Sequence, residues 1–119
     1  MSDLYQEVIL DHAQHPHNFG SLEHPTHTIK DANASCGDMV EMYLVVKNGK
    51  ITDVKWRGIG CAISTASASM VSDLIKGKSI ASAKALTKEK LMKEMGLDEI
   101  LPTREKCLVL PLRVLQHLP

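Results

Sequence analysis

Apolar side chains near the start of the chain recur with the spacing of an α-helix. Leu4, Val8 and His12 fall at positions i, i+4 and i+8, with the apolar Tyr5 and Ile9 beside them. This pattern predicts an amphipathic helix over Asp3–Gln14. The helix is expected to end before Pro16, because proline lacks a backbone donor and restricts the residue that precedes it.

The next part of the chain changes from helical spacing to strand signals. Residues 15–26 are predicted to form an irregular connection, with Phe19 and Leu22 as anchors against the core, and His27–Asn33 to form a short edge strand. Residues 39–47 and 51–57 are rich in β-branched and aromatic side chains. The Asn48-Gly49 pair between them is a strong hairpin signal and predicts two antiparallel strands.

Helical patterns return after Gly60. Small residues from 62 to 69 run into a helical pattern that ends at Gly77, and shorter helical pieces are predicted over 79–85 and 88–95. The last helix is expected to begin its regular part near Cys107, because Pro111 would otherwise fall inside it and cost about 3 kcal/mol.

Length and charge narrow the class of protein. The 119 residues suit one domain over 1–119. Acidic and basic residues number 14 each, so the chain has no excess positive charge to attract nucleic acid. No apolar stretch has signal-peptide or membrane-span length. We therefore expect a soluble cytoplasmic protein that binds neither nucleic acid nor membrane. There a reducing pool disfavours disulfides, so the odd count of three cysteines favours thiolate chemistry.

The three cysteines lie at places where their thiols can meet. Cys36-Gly37-Asp38 stands where a loop enters a strand, Cys61 opens a predicted helix, and Cys107 follows Lys106. Three thiolates and one carboxylate supply the four ligands of a tetrahedral zinc site or an iron-sulfur cluster. The helix N-terminus at Cys61 and the Lys106 cation both favour ionised sulfur.

Simpler interpretations stay open for each of these residues. A single cysteine is often a small buried apolar residue, and Asp38 alone fits a turn or cap. Surface exposure explains most of the six histidines. The serine-rich run over 64–69 suits close helix-to-sheet packing better than a hydrolase nucleophile, since no G-x-S-x-G motif accompanies it.

Four motifs in order resemble the IscU/SufU family, which is related to the N-terminal domain of NifU. They cover residues 4–20, 36–38, 58–70 and 102–107. The resemblance implies an α+β fold with a small, about three-stranded antiparallel sheet packed against helices and a metal site at one exposed end. It also implies that Cys36, Asp38, Cys61 and Cys107 are the ligands.

The function implied by the resemblance is a scaffold, not an enzyme. It would accept sulfur from a cysteine desulfurase, take iron from an iron donor, build a transient [2Fe-2S] cluster and transfer it to acceptor proteins, with Hsp70/J-type chaperones as further partners. We expect Cys107 to accept the persulfide sulfur with Lys106 stabilising its thiolate, and Asp38 to permit release, because a hard oxygen ligand holds a soft cluster weakly. Zinc is expected in the resting protein.

The chain departs from both branches of the family. Lys106 stands where IscU members usually carry histidine, residues 101–105 differ from the segment that Hsp70 reads, and the spacing from Cys61 to Cys107 is short for SufU. Two alternatives follow. One is a zinc-bound sulfur acceptor that stimulates its desulfurase, a SufU-type sulfurtransferase role, and the other is an interaction module that needs zinc only for folding.

Overall fold

Five helices and a three-stranded sheet make up the part of the chain that the structure describes. A computed structural model covers residues 3–35 and 37–119, with side chains described from Glu7 onward. In chain order the elements are α1 (Asp3–Gln14), β1 (His27–Asn33), β2 (Asp38–Lys47), β3 (Lys50–Ile59), α2 (Ala62–Ile75), α3 (Ile80–Lys84), α4 (Lys88–Met95) and α5 (Pro102–Leu115). The predicted α+β class and the predicted α1 and β1 boundaries are confirmed.

The sheet is antiparallel throughout, in the order β1-β2-β3. Asn48 and Gly49 both have positive φ, 53° and 75°, as a tight two-residue hairpin turn requires. The pairing shifts register between Val45 and Val46. The predicted hairpin is confirmed, and the strands extend one or two residues beyond the predicted ends.

One face of the sheet carries the hydrophobic core. Its fully buried side chains include Met42, Leu44, Val54 and Trp56, each at most 2% exposed. Helices α2 and α5 pack against the sheet and against each other, and α1 packs on α2. The N-terminal end of α2 and the early turns of α5 are thereby held beside the strand ends of β2 and β3.

The small residues of α2 allow its close packing. Ser64, Ser67 and Ala68 are buried, and the Ser67 hydroxyl donates to the Leu108 carbonyl of α5 at 2.5 Å. A helix with short side chains can approach its neighbours closely, and the Ser67 contact shows this approach toward α5, whereas the sequence predicted it toward the sheet. The hydroxyls serve as hydrogen-bond partners inside the core.

Helix α5 begins earlier than expected. Its first helical turn contains Pro102, where the missing N–H costs nothing, and the helix continues through Pro111. Leu108, Leu110 and Leu115 are fully buried, and each contributes about 1.5–3 kcal/mol of burial free energy. This burial exceeds the cost of about 3 kcal/mol for the internal proline. Because α5 begins at Pro102, the expectation of a start near Cys107 is wrong.

Residues 15–26 run along the outer end of the sheet. Phe19, expected to anchor the core, is 51% exposed, yet its ring contacts Trp56 edge to face at 5.1 Å. Leu22 is half-buried. The Trp56 indole N–H donates to the His17 carbonyl at 2.8 Å, which fixes the connection to β3. No helix within residues 3–35 and 37–119 has the length and hydropathy to cross a membrane.

Candidate metal centre

Three of the four predicted ligands converge in the structure. Asp38 is the first residue of β2, Cys61 is the N-cap of α2, and Cys107 lies in the second turn of α5. One ligand atom from each lies within 4.8 Å of the others. Cys36 lies outside the described residues, and its predicted role as a ligand stays a prediction.

The backbone at Gly60 lies very close to the Asp38 carboxylate. The Asp38 side chain is buried, with its residue only 4% exposed. A methyl group added at Gly60 would lie 2.9 Å from Asp38 Oδ1 and 2.1 Å from Ser64 Oγ. A Cβ at this position would require both the Ser64 hydroxyl and the Asp38 carboxylate to shift. Gly60 therefore sets the distance between the carboxylate and the start of α2.

Cys61 is the more accessible thiol, half-buried at the start of α2. Burial opposes ionisation of Cys61, but hydrogen bonds from Ser64, Cys107 and the Ile63 backbone outweigh it and lower the pKa of the thiol. Unpaired amides at a helix start are expected to stabilise a thiolate in this way. The lowered pKa has the direction that the sequence predicts for a thiolate at Cys61.

Cys107 behaves in the opposite manner. It is 4% exposed, and burial together with hydrogen bonds to Asp38 and Cys61 raises the pKa of its thiol well above the usual value. The Lys106 ammonium donates instead to the Ser35 hydroxyl at 2.8 Å. We expected Lys106 to favour an ionised Cys107. The burial and hydrogen bonds of this thiol act in the opposite direction and favour its protonated form.

Polar contacts fix the position of α5 relative to the sheet. The Asn33 amide donates to the Lys106 carbonyl at 2.9 Å, and the Arg113 guanidinium donates to Asn33 Oδ1 at 2.6 Å. Asn33 is 6% exposed and lies in β1, next to the loop that carries Cys36. The backbone of Cys107 is therefore tied to the strand that leads into the site.

The site opens to solvent through a cleft of about 520 Å³. Its lining includes Asp38, Cys61, Cys107 and Arg104. A second, more apolar cleft of about 820 Å³ adjoins it and also includes Cys61 and Arg104. Of the three grouped residues, Cys61 is partly exposed to this cleft, whereas Cys107 and Asp38 are each only 4% exposed.

The donor set fits a soft or borderline metal. Thiolate sulfurs bind zinc at about 2.3 Å, so two of them around one ion lie less than 4.8 Å apart. Two thiols and a carboxylate within that spread can meet a tetrahedral zinc ion or an iron of a cluster with small movements. Asp38, Cys61 and Cys107 would hold such a group, with Cys36 as the predicted fourth ligand.

Sequence reasoning missed two contributors to this site. Ser64 supports Cys61 through both its backbone and its side chain, and its hydroxyl donates to the Cys61 carbonyl at 3.1 Å. A serine three residues after an N-cap was the available signal. Arg104 lines both clefts, and no local pattern predicts it, because only the position of α5 brings it there.

Comparisons with known proteins agree with this arrangement. The family model of the NifU-like N terminal domain matches residues 4–117. A curated Archaeoglobus fulgidus relative, "Iron-sulfur cluster assembly scaffold protein IscU 1", is 33% identical over 78% of this chain and 61% of its own length. The Bacillus subtilis "Zinc-dependent sulfurtransferase SufU" is 38% identical over 74% of this chain and 59% of its own length. The chain therefore spans about three fifths of each of these two relatives.

A solved structure extends the likeness to the fold. A candidate iron-sulfur cluster assembly scaffold protein for the SUF system from Fervidobacterium islandicum AW-1 superposes with a TM-score of 0.79 and 30% sequence identity. The match covers 95% of this chain and 94% of that one. The family model, the shared fold and the grouping of Asp38, Cys61 and Cys107 agree, and the chain belongs to the NifU-like N-terminal domain family, which includes IscU and SufU relatives.

Proposed function

We propose that this chain is an iron-sulfur cluster assembly scaffold. It accepts sulfur from a cysteine desulfurase, binds iron, builds a [2Fe-2S] cluster as cargo and transfers it to acceptor proteins. The ligands of that cargo are Cys36, Asp38, Cys61 and Cys107. The proposal extends the names of the relatives to this chain, and it assumes a reducing compartment such as the cytoplasm.

One observation carries the proposal: Asp38, Cys61 and Cys107 come from three separate elements and still bring their ligand atoms within 4.8 Å. Hydrophobic packing of α2 and α5 on the sheet produces this grouping, so the site forms as the fold forms. The cleft beside it is open. A scaffold needs both features, because its cargo must be assembled on the protein and then leave it.

The carboxylate supports release. An oxygen ligand matches the softness of iron-sulfur chemistry less well than a fourth thiolate, so it should exchange first. Asp38→Ala is therefore expected to keep a cluster on the chain longer. The measurement is the transfer rate of the visible cluster absorption from the loaded scaffold to an apo-ferredoxin. Faster transfer from Asp38→Ala than from wild type would contradict this role.

Sulfur delivery needs one thiol as acceptor, and we assign that role to Cys107. The Cys107 thiol first releases its proton to solvent, and the resulting thiolate attacks the outer sulfur of the desulfurase persulfide. The S–S bond in that persulfide breaks, a new one forms on Cys107, and the desulfurase thiolate leaves, with no net redox change. Because Cys107 is only 4% exposed, the start of α5 must move when the desulfurase docks.

Mass spectrometry of the chain after reaction with desulfurase and cysteine tests this assignment. A mass gain of one sulfur atom that persists in Cys61→Ala and disappears in Cys107→Ala supports Cys107. The reverse pattern would transfer the role to Cys61, which is the more exposed thiol. Both variants keep the two other cysteines, so each one controls for the other.

The rim of the site supports docking of protein partners. Ile59 and Leu101 are 72% and 69% exposed, and they border the two clefts that include Cys61. Large apolar side chains at this exposure are typical of protein-binding surfaces. The desulfurase and the acceptor proteins are the proposed partners, while chaperone binding remains a sequence prediction.

A second candidate function is a zinc-bound sulfur acceptor that stimulates its desulfurase. The observation that favours it is the donor set, which fits zinc, together with the zinc-dependent Bacillus subtilis relative. Bound zinc would keep the thiols ionised. Under this candidate, the addition of zinc-loaded protein raises desulfurase turnover, and Cys107→Ala abolishes the increase, while no cluster forms with iron.

A further inference from the structure

A second group of metal-ligating side chains lies away from the thiols. His12 of α1, His17 of the following connection and Asp73 of α2 each offer one ligand atom, and these atoms lie within 4.8 Å of one another. Asp73 lies 12 residues after Cys61, and at about 1.5 Å per helical residue this places the group about 18 Å along α2 from the thiol site.

Neighbouring side chains hold the two imidazoles in place. His12 is 8% exposed, and its Nδ1 forms a hydrogen bond of 2.7 Å with the Ser69 hydroxyl. The same hydroxyl accepts the backbone N–H of His17 at 2.8 Å. The two rings lie 4.3 Å apart. A hydrogen-bond partner on one ring nitrogen is usual for histidines that bind a metal through the other.

The carboxylate is held in a similar way. Asn18 has a positive φ of 58°, and its amide donates to Asp73 Oδ1 at 2.9 Å and to the Ser72 hydroxyl at 2.9 Å. The other oxygen, Asp73 Oδ2, lies 2.6 Å from Nδ1 of His17. The three ligand residues are thus positioned by Ser69, Ser72 and Asn18, which lie in the same two chain segments as His17 and Asp73.

The donor set suits a borderline divalent transition metal better than calcium or magnesium. Two imidazoles and one carboxylate bind zinc, iron(II) or cobalt(II), whereas the harder ions prefer oxygen ligands throughout. Around zinc, with bonds of about 2.0–2.1 Å, two ligand atoms lie roughly 3.3 Å apart. His17 and Asp73 must therefore separate slightly, and the solvent-facing position of both side chains, each 43% exposed, leaves room for that movement.

We propose that His12, His17 and Asp73 form a second divalent transition-metal site, separate from the thiol site and completed by water. His12 is its buried corner, while His17 and Asp73 close on the ion from the surface. The plainer alternative is a hydrogen-bonded His17–Asp73 pair that joins the connection to α2 without any metal, and the experiment distinguishes the two.

The test uses untagged protein in which the thiols cannot bind metal. The triple variant Cys36→Ser/Cys61→Ser/Cys107→Ser is titrated with cobalt(II), and ligand-field absorption is recorded with and without a competing chelator. The proposal predicts a single cobalt ion per chain and no sulfur-to-cobalt charge-transfer band. His17→Ala or Asp73→Asn in the same background is expected to weaken binding at least about tenfold.

His24→Ala is the matched control, because His24 is an exposed histidine in the same connection and lies outside the group. It is expected to leave cobalt affinity unchanged. Equal losses for His24→Ala and His17→Ala, or no saturable binding in the triple variant, would overturn the proposal in favour of the plain hydrogen-bonded pair. If the triple variant does not fold, zinc counts decide the question: two per chain in wild type and one in His17→Ala support the site, whereas equal counts refute it.

Discussion

Replacement of Gly60 by alanine should weaken metal binding at the thiol site without a matching loss of stability. The new Cβ would lie 2.1 Å from Ser64 Oγ and 2.9 Å from Asp38 Oδ1, where ordinary contacts begin at 3.4 Å. The Ser64 hydroxyl can rotate away, but the buried carboxylate must then move by about 0.5 Å, which is the tolerance of a preorganised site.

The expected loss is about 10- to 100-fold in affinity, or about 1.4–2.8 kcal/mol. The affinity is measured by titration with cobalt(II), with the sulfur-to-cobalt charge-transfer band as the signal, because that band reports only thiolate ligation. The free energy of unfolding, measured in urea with chelator present, should change little, since alanine for glycine in a loop also restricts the unfolded chain.

Two further variants isolate the cause. Gly49→Ala is the matched control: its φ of 75° strains any side chain, but no atom lies within 4 Å of the added Cβ. It should cost about 1–2 kcal/mol of stability and leave cobalt affinity unchanged. The double variant Gly60→Ala/Ser64→Ala removes the overlap of the new Cβ with the Ser64 hydroxyl and keeps its overlap with the Asp38 carboxylate. Wild-type affinity in this double variant would refute the reasoning about Asp38.

Three other outcomes follow from the structure. Hydrogen bonds from the Ala32 backbone and His117, with the Arg113 charge, lower the pKa of Asp31. Its stabilisation is therefore present above the unfolded pKa and is lost as pH falls through the folded one. Asp31→Asn should cost no more than about 1 kcal/mol at pH 7 in urea unfolding, and progressively less as pH falls below the ordinary aspartate pKa of about 3.9. Leu108→Ala, at a fully buried position, should cost about 2–5 kcal/mol by the same measurement. Iodoacetamide should alkylate Cys61 before Cys107, because Cys107 is 4% exposed, as peptide mass mapping can establish.

The hairpin and the first helix were predictable because their signals are local. Asn48-Gly49 dictates the turn through positive φ at both residues, and the apolar spacing of α1 ends at the chain's first proline. The continuation of α5 through Pro111 was not predictable from local rules. Pro111 argues against a helix, and only the burial of Leu108 and Leu110 in the assembled core outweighs it.

The thiol site has local sequence signals, whereas the histidine site depends on long-range packing. Cysteine positions beside glycine and a helix start are local signals that indicate the thiol site, although they do not predict that Cys107 is buried or that burial raises the pKa of its thiol. Most histidines are expected at the surface, yet His12 is buried. Its contact with Ser69 joins residues that are 57 positions apart, and such a pairing depends on how α1 packs against α2.

The most direct test of the central claim is anaerobic assembly on the untagged chain with a cysteine desulfurase, cysteine and ferrous iron. The account predicts sulfur-to-iron charge-transfer bands in the visible spectrum, with about equal iron and acid-labile sulfide bound to the chain, and their loss in Cys61→Ala. A colourless wild-type protein, or a cluster that survives loss of all three cysteines, would contradict it.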